Sequence, residues 1–196
     1  ITKSSAGRLE FGLLTIAASP MNEVTTASSF EITAAGAAAF NNAGAGGKFT
    51  ATAGTITFSG AAPVIVSVSP AVTQFNSILT KGTTALTLTD AQEVYVAGDI
   101  TVNNQSSIAP AGTNSKFIFN GADAQAINGT STAATPVAFA DVVINKAAGS
   151  VLTLGINTVI NSNVAHELTL TEGILSLGNK TFTNGAGIIS RTNGVI

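Results

Sequence analysis

Lys116-Phe117-Ile118-Phe119-Asn120-Gly121 repeats the pattern of Thr55-Ile56-Thr57-Phe58-Ser59-Gly60 at an offset of 61 residues. The pair decides the fold, because the similarity continues in order beyond it. Phe75-Asn76-Ser77-Ile78-Leu79 matches Phe139-Ala140-Asp141-Val142-Val143 at an offset of 64. Ala85-Leu86-Thr87-Leu88 matches Val151-Leu152-Thr153-Leu154 at 66, and Ile100-Thr101-Val102 matches Leu168-Thr169-Leu170 at 68. Kept order with a creeping offset means small loop insertions. Lys180–Gly185 opens a third copy. Units that cannot bury a face alone but stack on their neighbours are the sequence sign of a solenoid.

Between the repeats the hydrophobic period is two. Val64-Ile65-Val66-Ser67, Leu86-Thr87-Leu88-Thr89 and Leu168-Thr169-Leu170-Thr171 each read as a half-buried strand with a polar, often β-branched, wet face. Asn-Gly, Gly-Asn and Gly-Gly pairs separate them, closing corners where φ > 0 is needed. In the last third, strands start at Val142, Val151, Val159, Leu168, Ile174, Phe182 and Ile188. The fold class expected is all-β, a parallel β-helix of short strands, three to a coil of roughly 20–25 residues. Hairpins fit the same spacing, so an antiparallel β-sandwich or jelly roll is the alternative. About nine coils at roughly 4.8 Å each make a rod of about 40 Å. Residues 1–50 are Ala-rich and read as irregular first coils or a cap. Residues 51–196 are the repeat region, with units over 55–115 and 116–180 and the start of a third over 181–196. Helical propensity over Ala34–Ala39 is broken by Gly36.

Composition narrows the function. Only 9% of the 196 residues are charged, and the net charge is −2; an average soluble domain carries about 25%. Lysine and arginine are spread thinly, so nucleic acid is not an expected partner. No apolar run approaches the roughly 20 residues of a membrane helix, so no membrane insertion is expected. Cysteine is absent, which removes disulfides, thiolate zinc sites and cysteine nucleophiles.

The residues able to carry chemistry are few. His166-Glu167 with Glu172 is the one cluster of catalytic types, but a zincin needs a second His at 170, where Leu stands. Asp90, Asp99, Asp123 and Asp141 are isolated, although Asp90, Glu93 and Asp99 could meet across a turn. Thr-x-Thr pairs at 50/52, 55/57, 87/89, 169/171 and 181/183 lack the constant spacing of an ice-binding ladder. Gly44-x-Gly46-Gly47 precedes a strand and reads as a turn, not a phosphate cradle. The ten Phe residues read as core stacking between coils, not a sugar platform, since Trp is absent and Tyr occurs once. No enzyme, cofactor or metal site is expected. Val195 and Ile196 are the candidate site, an apolar strand end suited to self-association.

The stretch Phe117–Leu177 resembles the β-strand repeats of large secreted Bacteroidetes surface proteins. Those carry F-x-F-x-G, Q-x-I-x-G, F-x-x-V/L-x-I-N, V-x-L and L-x-L-x-x-G-x-L in that order. Here stand Phe117-Ile118-Phe119-Asn120-Gly121, Gln125-Ala126-Ile127-Asn128-Gly129, Phe139–Asn145, Val151-Leu152-Thr153-Leu154 and Leu168–Leu175. The earlier copy departs at Val64-Ile65-Val66, where Gln-x-Ile would fall. The resemblance implies a non-catalytic stalk or adhesin-like segment, extracellular at the cell surface and exported by a type IX system. Its partners would be the rest of a longer parent chain or identical subunits, and surface polysaccharide. A subunit of an extracellular filament is the alternative role. Chelation with EDTA should leave the melting temperature unchanged; a fall of more than about 5 °C would reveal a calcium site assembled between coils.

Overall fold

The computed structural model describes residues 9–16, 23–36, 39–42, 46–67, 71–81, 85–89, 93–103, 107–110, 115–130, 136–160, 166–185 and 187–196. They form strands alone, all paired in parallel. Three strands make a coil. The first coil holds β1 (Glu10–Phe11), β2 (Leu14–Thr15) and β3 (Glu23–Thr26); the second, β4 (Phe30–Ile32), β5 (Phe40–Asn42) and β6 (Lys48–Ala51). The third holds β7 (Thr55–Phe58), β8 (Val64–Ser67) and β9 (Val72–Phe75), and the fourth β10 (Ser77–Thr80), β11 (Ala85–Leu88) and β12 (Glu93–Val96). The fifth holds β13 (Ile100–Val102), β14 (Ser107–Pro110) and β15 (Lys116–Phe119), and the sixth β16 (Gln125–Gly129), β17 (Val137–Phe139) and β18 (Asp141–Asn145). The seventh holds β19 (Val151–Leu154), β20 (Thr158–Ile160) and β21 (Glu167–Glu172), and the eighth β22 (Ile174–Ser176), β23 (Phe182–Asn184) and β24 (Ile188–Arg191). The chain is therefore a parallel β-solenoid, and the antiparallel alternative falls. The described residues up to Ala51 form β1 to β6 on the same faces as the later coils.

Every third strand stacks on the last. Sheet A runs from β1 to β22 and sheet C from β3 to β24, eight strands each. The remaining face is split: β2, β5, β8, β11 and β14 form one ladder, and β17, β20 and β23 another. The break falls where Pro110 lies in β14 and Pro136 precedes β17, two residues with no N–H to give a ladder. β14 still packs beside β17, so the face is continuous although its hydrogen bonds are not.

Register places like on like. In sheet A, Phe30, Ile56, Ile78, Ile100, Ile127 and Leu154 form one inward column. In sheet C, Phe75, Val96, Phe119, Ile144 and Leu170 form another. Between them the N-terminal half is filled with rings: Phe49 lies 5.1 Å from Phe40 and 5.7 Å from Phe75. Phe30, Phe40, Phe49, Phe58, Phe75, Phe117, Phe119 and Phe139 are all core residues, as the strand periodicity predicts.

The corners impose a separate demand. Where the chain leaves one sheet for the next, a backbone N–H at or beside the start of the strand needs a partner, and where it is buried, leaving it unpaired is costly. Short side chains on the preceding coil take it up. Ser29 Oγ accepts from Thr55 N at 2.9 Å, Ser77 Oγ from Asp99 N at 3.1 Å, and Asp99 Oδ1 from Ala126 N at 2.8 Å. Asp141 Oδ1 accepts from Glu167 N at 2.9 Å, and Asn157 Oδ1 from Thr181 N at 2.9 Å. In each case the donor is the register partner one coil later.

The 61-residue sequence repeat takes a different meaning in this register. It maps β7 onto β15 and β15 onto β23, a shift of eight strands, not the three whole coils expected from its length. β7 lies in sheet A, β15 in sheet C and β23 on the third face.

Phe119 is wholly buried whereas Thr153 points outward and is partly exposed. Phe119→Ala should cost roughly 3–5 kcal/mol and Thr153→Ala under about 1 kcal/mol. Equal losses in denaturant titrations would contradict the register.

Candidate functional site: the C-terminal face and the buried corners

The last coil carries most of the exposed aliphatic surface. Among the described residues, six large hydrophobic side chains are exposed, and four of them are Ile188, Ile189, Val195 and Ile196. Ile189 follows Leu168 in an inward column, yet it is 49% exposed because nothing described stacks above it. Val195 and Ile196, the self-association candidates, are 42% and 59% exposed. Val195 is already engaged through its backbone. Its N–H donates to Gly173 O at 3.0 Å and its carbonyl accepts from Leu175 N at 2.8 Å, pairing it with Ile174. Sheet A thus starts a ninth layer at Val195. Gly194 permits this turn: a Cβ there would lie 2.8 Å from Leu170 Cβ. Arg191 stands in register with Leu170, so this inward column ends on a guanidinium.

A second polar constellation lies inside, at the corner between sheets C and A. Register puts Gly98, Gly121, Lys146 and Gly173 at successive levels of that corner. Lys146 is 2% exposed. Its Nζ donates to Gly121 O at 2.8 Å, Asp123 O at 2.8 Å and Gln125 Oε1 at 2.6 Å. Gln125 is held at both ends: Oε1 accepts from Gly121 N at 3.0 Å, and Nε2 donates to Val96 O at 2.9 Å and to Gly98 O. Burial pushes the Lys146 pKa below its usual 10.5, while the charges of Asp123 and Asp99 pull it back up.

His166 is a buried partner of Asp141: its Nδ1 lies 3.2 Å from Asp141 Oδ1, the oxygen that also takes the Glu167 N–H. Two coils of the N-terminal half are tied at the corner leading into sheet C by Asn42, whose Nδ2 donates to Thr73 Oγ1 at 2.9 Å, with Ser67 Oγ donating to the same oxygen at 2.8 Å. The structure brings His166 and Glu167 together on Asp141, but Glu172 lies at the far end of β21, opposite Asn145. Glu93 and Asp99 do not meet: Glu93 pairs with Lys116 at 3.8 Å on the face of sheet C, and Asp99 caps a corner. Asp90 lies outside the described residues. Among those described, no three His, Cys, Asp or Glu side chains stand together to hold a metal ion. The Thr-x-Thr pairs are spread over all the faces, with only Thr50 and the 169/171 pair sharing sheet C, five strands apart. Sequence reasoning missed Lys146 and the Asp141–His166 pair. The signal for Lys146 was its place after β18, where neighbouring coils carry Gly.

Asp99→Ala should cost roughly 1–3 kcal/mol by stranding the Ala126 N–H, and Asp99→Asn, which keeps an oxygen there, clearly less; equal losses in urea titrations would deny the capping role. Alkaline pH gives a second check. Because the folded Lys146 pKa lies below 10.5, the unfolded chain holds that proton longer, and Lys146 makes unfolding costlier as pH rises between the two values. Tyr95, whose pKa is raised from 10.0 by burial and by Glu93, opposes this above pH 10. The difference in stability between wild type and Lys146→Met should therefore shift in favour of wild type across that window, as read by urea titrations at stepped pH. A flat difference would contradict the assignment. No family model matches the chain, and neither a curated protein nor a solved structure matches it.

Proposed function

We propose that this solenoid is a non-catalytic structural section, a stalk or adhesive segment, of a large secreted cell-surface protein. One observation carries the reading: the described coils stack through parallel ladders and bury their apolar columns in one continuous core, an architecture in which each coil is held by its neighbours and which extends by adding more of the same. The polar groups at the corners support the mechanical role, since the bonds described for Asp99, Asp141, Asn157 and Lys146 join neighbouring coils. The resemblance to Bacteroidetes surface repeats supplies the setting, including extracellular location and type IX export.

Leu13, 56% exposed at the opposite end, favours a second reading in which copies stack end to end as a filament. Electron microscopy separates the two, showing discrete rods on cells for a stalk and long polymers of one subunit for a filament.

The isolated segment should self-associate through its last coil. Replacing Val195 and Ile196 with Lys should keep it monomeric with little loss of fold. Strictly monomeric wild-type protein at high concentration in the ultracentrifuge would remove the support for an open end.

A further inference from the structure

We propose that the corner between β15 and β16 is a cation-binding site, that the protein fills it with the ammonium of its own Lys146, and that it accepts a free ammonium or small primary alkylammonium ion once that side chain is shortened. The donor set is three oxygens: Gly121 O, Asp123 O and Gln125 Oε1, at 2.8, 2.8 and 2.6 Å from Nζ. An alkylammonium such as that of Lys146 has three N–H donors and no acceptor, so the three oxygens saturate it; a free ammonium ion has a fourth N–H, which would point into the space left by the shortened side chain. A water molecule in the same place has only two protons to give. The distances also discriminate among ions, since Mg²⁺ needs oxygens at about 2.0–2.1 Å and Ca²⁺ at about 2.3–2.6 Å with six or more ligands.

The seat is built without the lysine. Gly121 is pressed against the previous coil so closely that a Cβ would lie 2.0 Å from Ala97 O. Gln125 is locked by Gly121 N on its oxygen and by Val96 O and Gly98 O on its nitrogen. Ser150 Oγ ties the same loop by donating to Ala122 O at 2.6 Å. Lys146 itself belongs to the next corner, 21 residues after Gln125. Gly173 closes the top, since a Cβ there would lie 2.9 Å from Lys146 Cβ. The ammonium thus does between coils what a bound metal ion does in other repeats, from a tether that cannot be chelated away. This inference is independent of the surface-protein reading.

Two experiments test it. Acetylation of the native wild-type chain with a limiting acylating reagent, followed by peptide mass analysis, compares its six lysines. Lys146 should react at least about tenfold more slowly than Lys48 and Lys180, because it must first leave the seat. Equal rates overturn the proposal, and this arm needs no variant to fold. Lys146→Ala should lower the melting temperature by several degrees. Ammonium or ethylammonium chloride should raise it again, relative to equal sodium chloride, in a saturable way. Wild type and Lys146→Met, whose side chains fill the space, should show no such ion-specific gain. Absence of the gain in Lys146→Ala, or the same gain in all three proteins, overturns the site.

Discussion

A coil that turns three times must find a partner for the N–H at each turn. Strand pairing supplies partners along the faces, but at the corners the backbone veers away and the ladder fails. Ser29, Ser77, Asp99, Asp141 and Asn157 resolve this with side-chain oxygens that reach to the following coil. Ser, Asp and Asn are short enough to do this without intruding on the core, and Gln125 does the same for Gly121 N at the corner that holds Lys146. The inward columns then follow, because each captured N–H fixes which residue lies above which.

Electrostatics reinforces the same register at low density. The first outward column of sheet C runs Glu23, Lys48, Val72, Glu93, Lys116, Asp141, Glu167 and Ile188. Glu23 meets Lys48 at 2.7 Å, and Glu93 meets Lys116 at 3.8 Å. Exposed pairs like these add little stability. Their value is specificity, since a slip by one residue would turn these charges inward and the Phe and Val columns outward.

Much of this was legible in the residues. The strand starts read at Val151, Ile174, Phe182 and Ile188 are those of the folded chain, and the others in that stretch differ by one residue. Period-two alternation with Gly and Asn corners is a strong local signal, and stacking does not override it. The corner chemistry was less legible. Asp141 and His166 are 25 residues apart, and Gln125 and Lys146 are 21 apart. They meet because register sets each residue beside those about one coil away, and the length of a coil is set by loops with no hydrophobic pattern. In residues 1–50 the strands are short and Ala dilutes the period, and Phe30, Phe40 and Phe49 enter the core like any later Phe.

Eight is not a multiple of three, and the shift from β7 to β15 to β23 carries the repeating unit from one face to another. Two copies of the unit are thus neighbours out of phase by a third of a revolution, and it takes three copies, or eight full coils, for the pattern to come back to its starting azimuth. An array grown by adding such units behaves as a screw. Whatever one unit shows to the outside is presented in turn to three directions along the axis, so a long rod has no blind side.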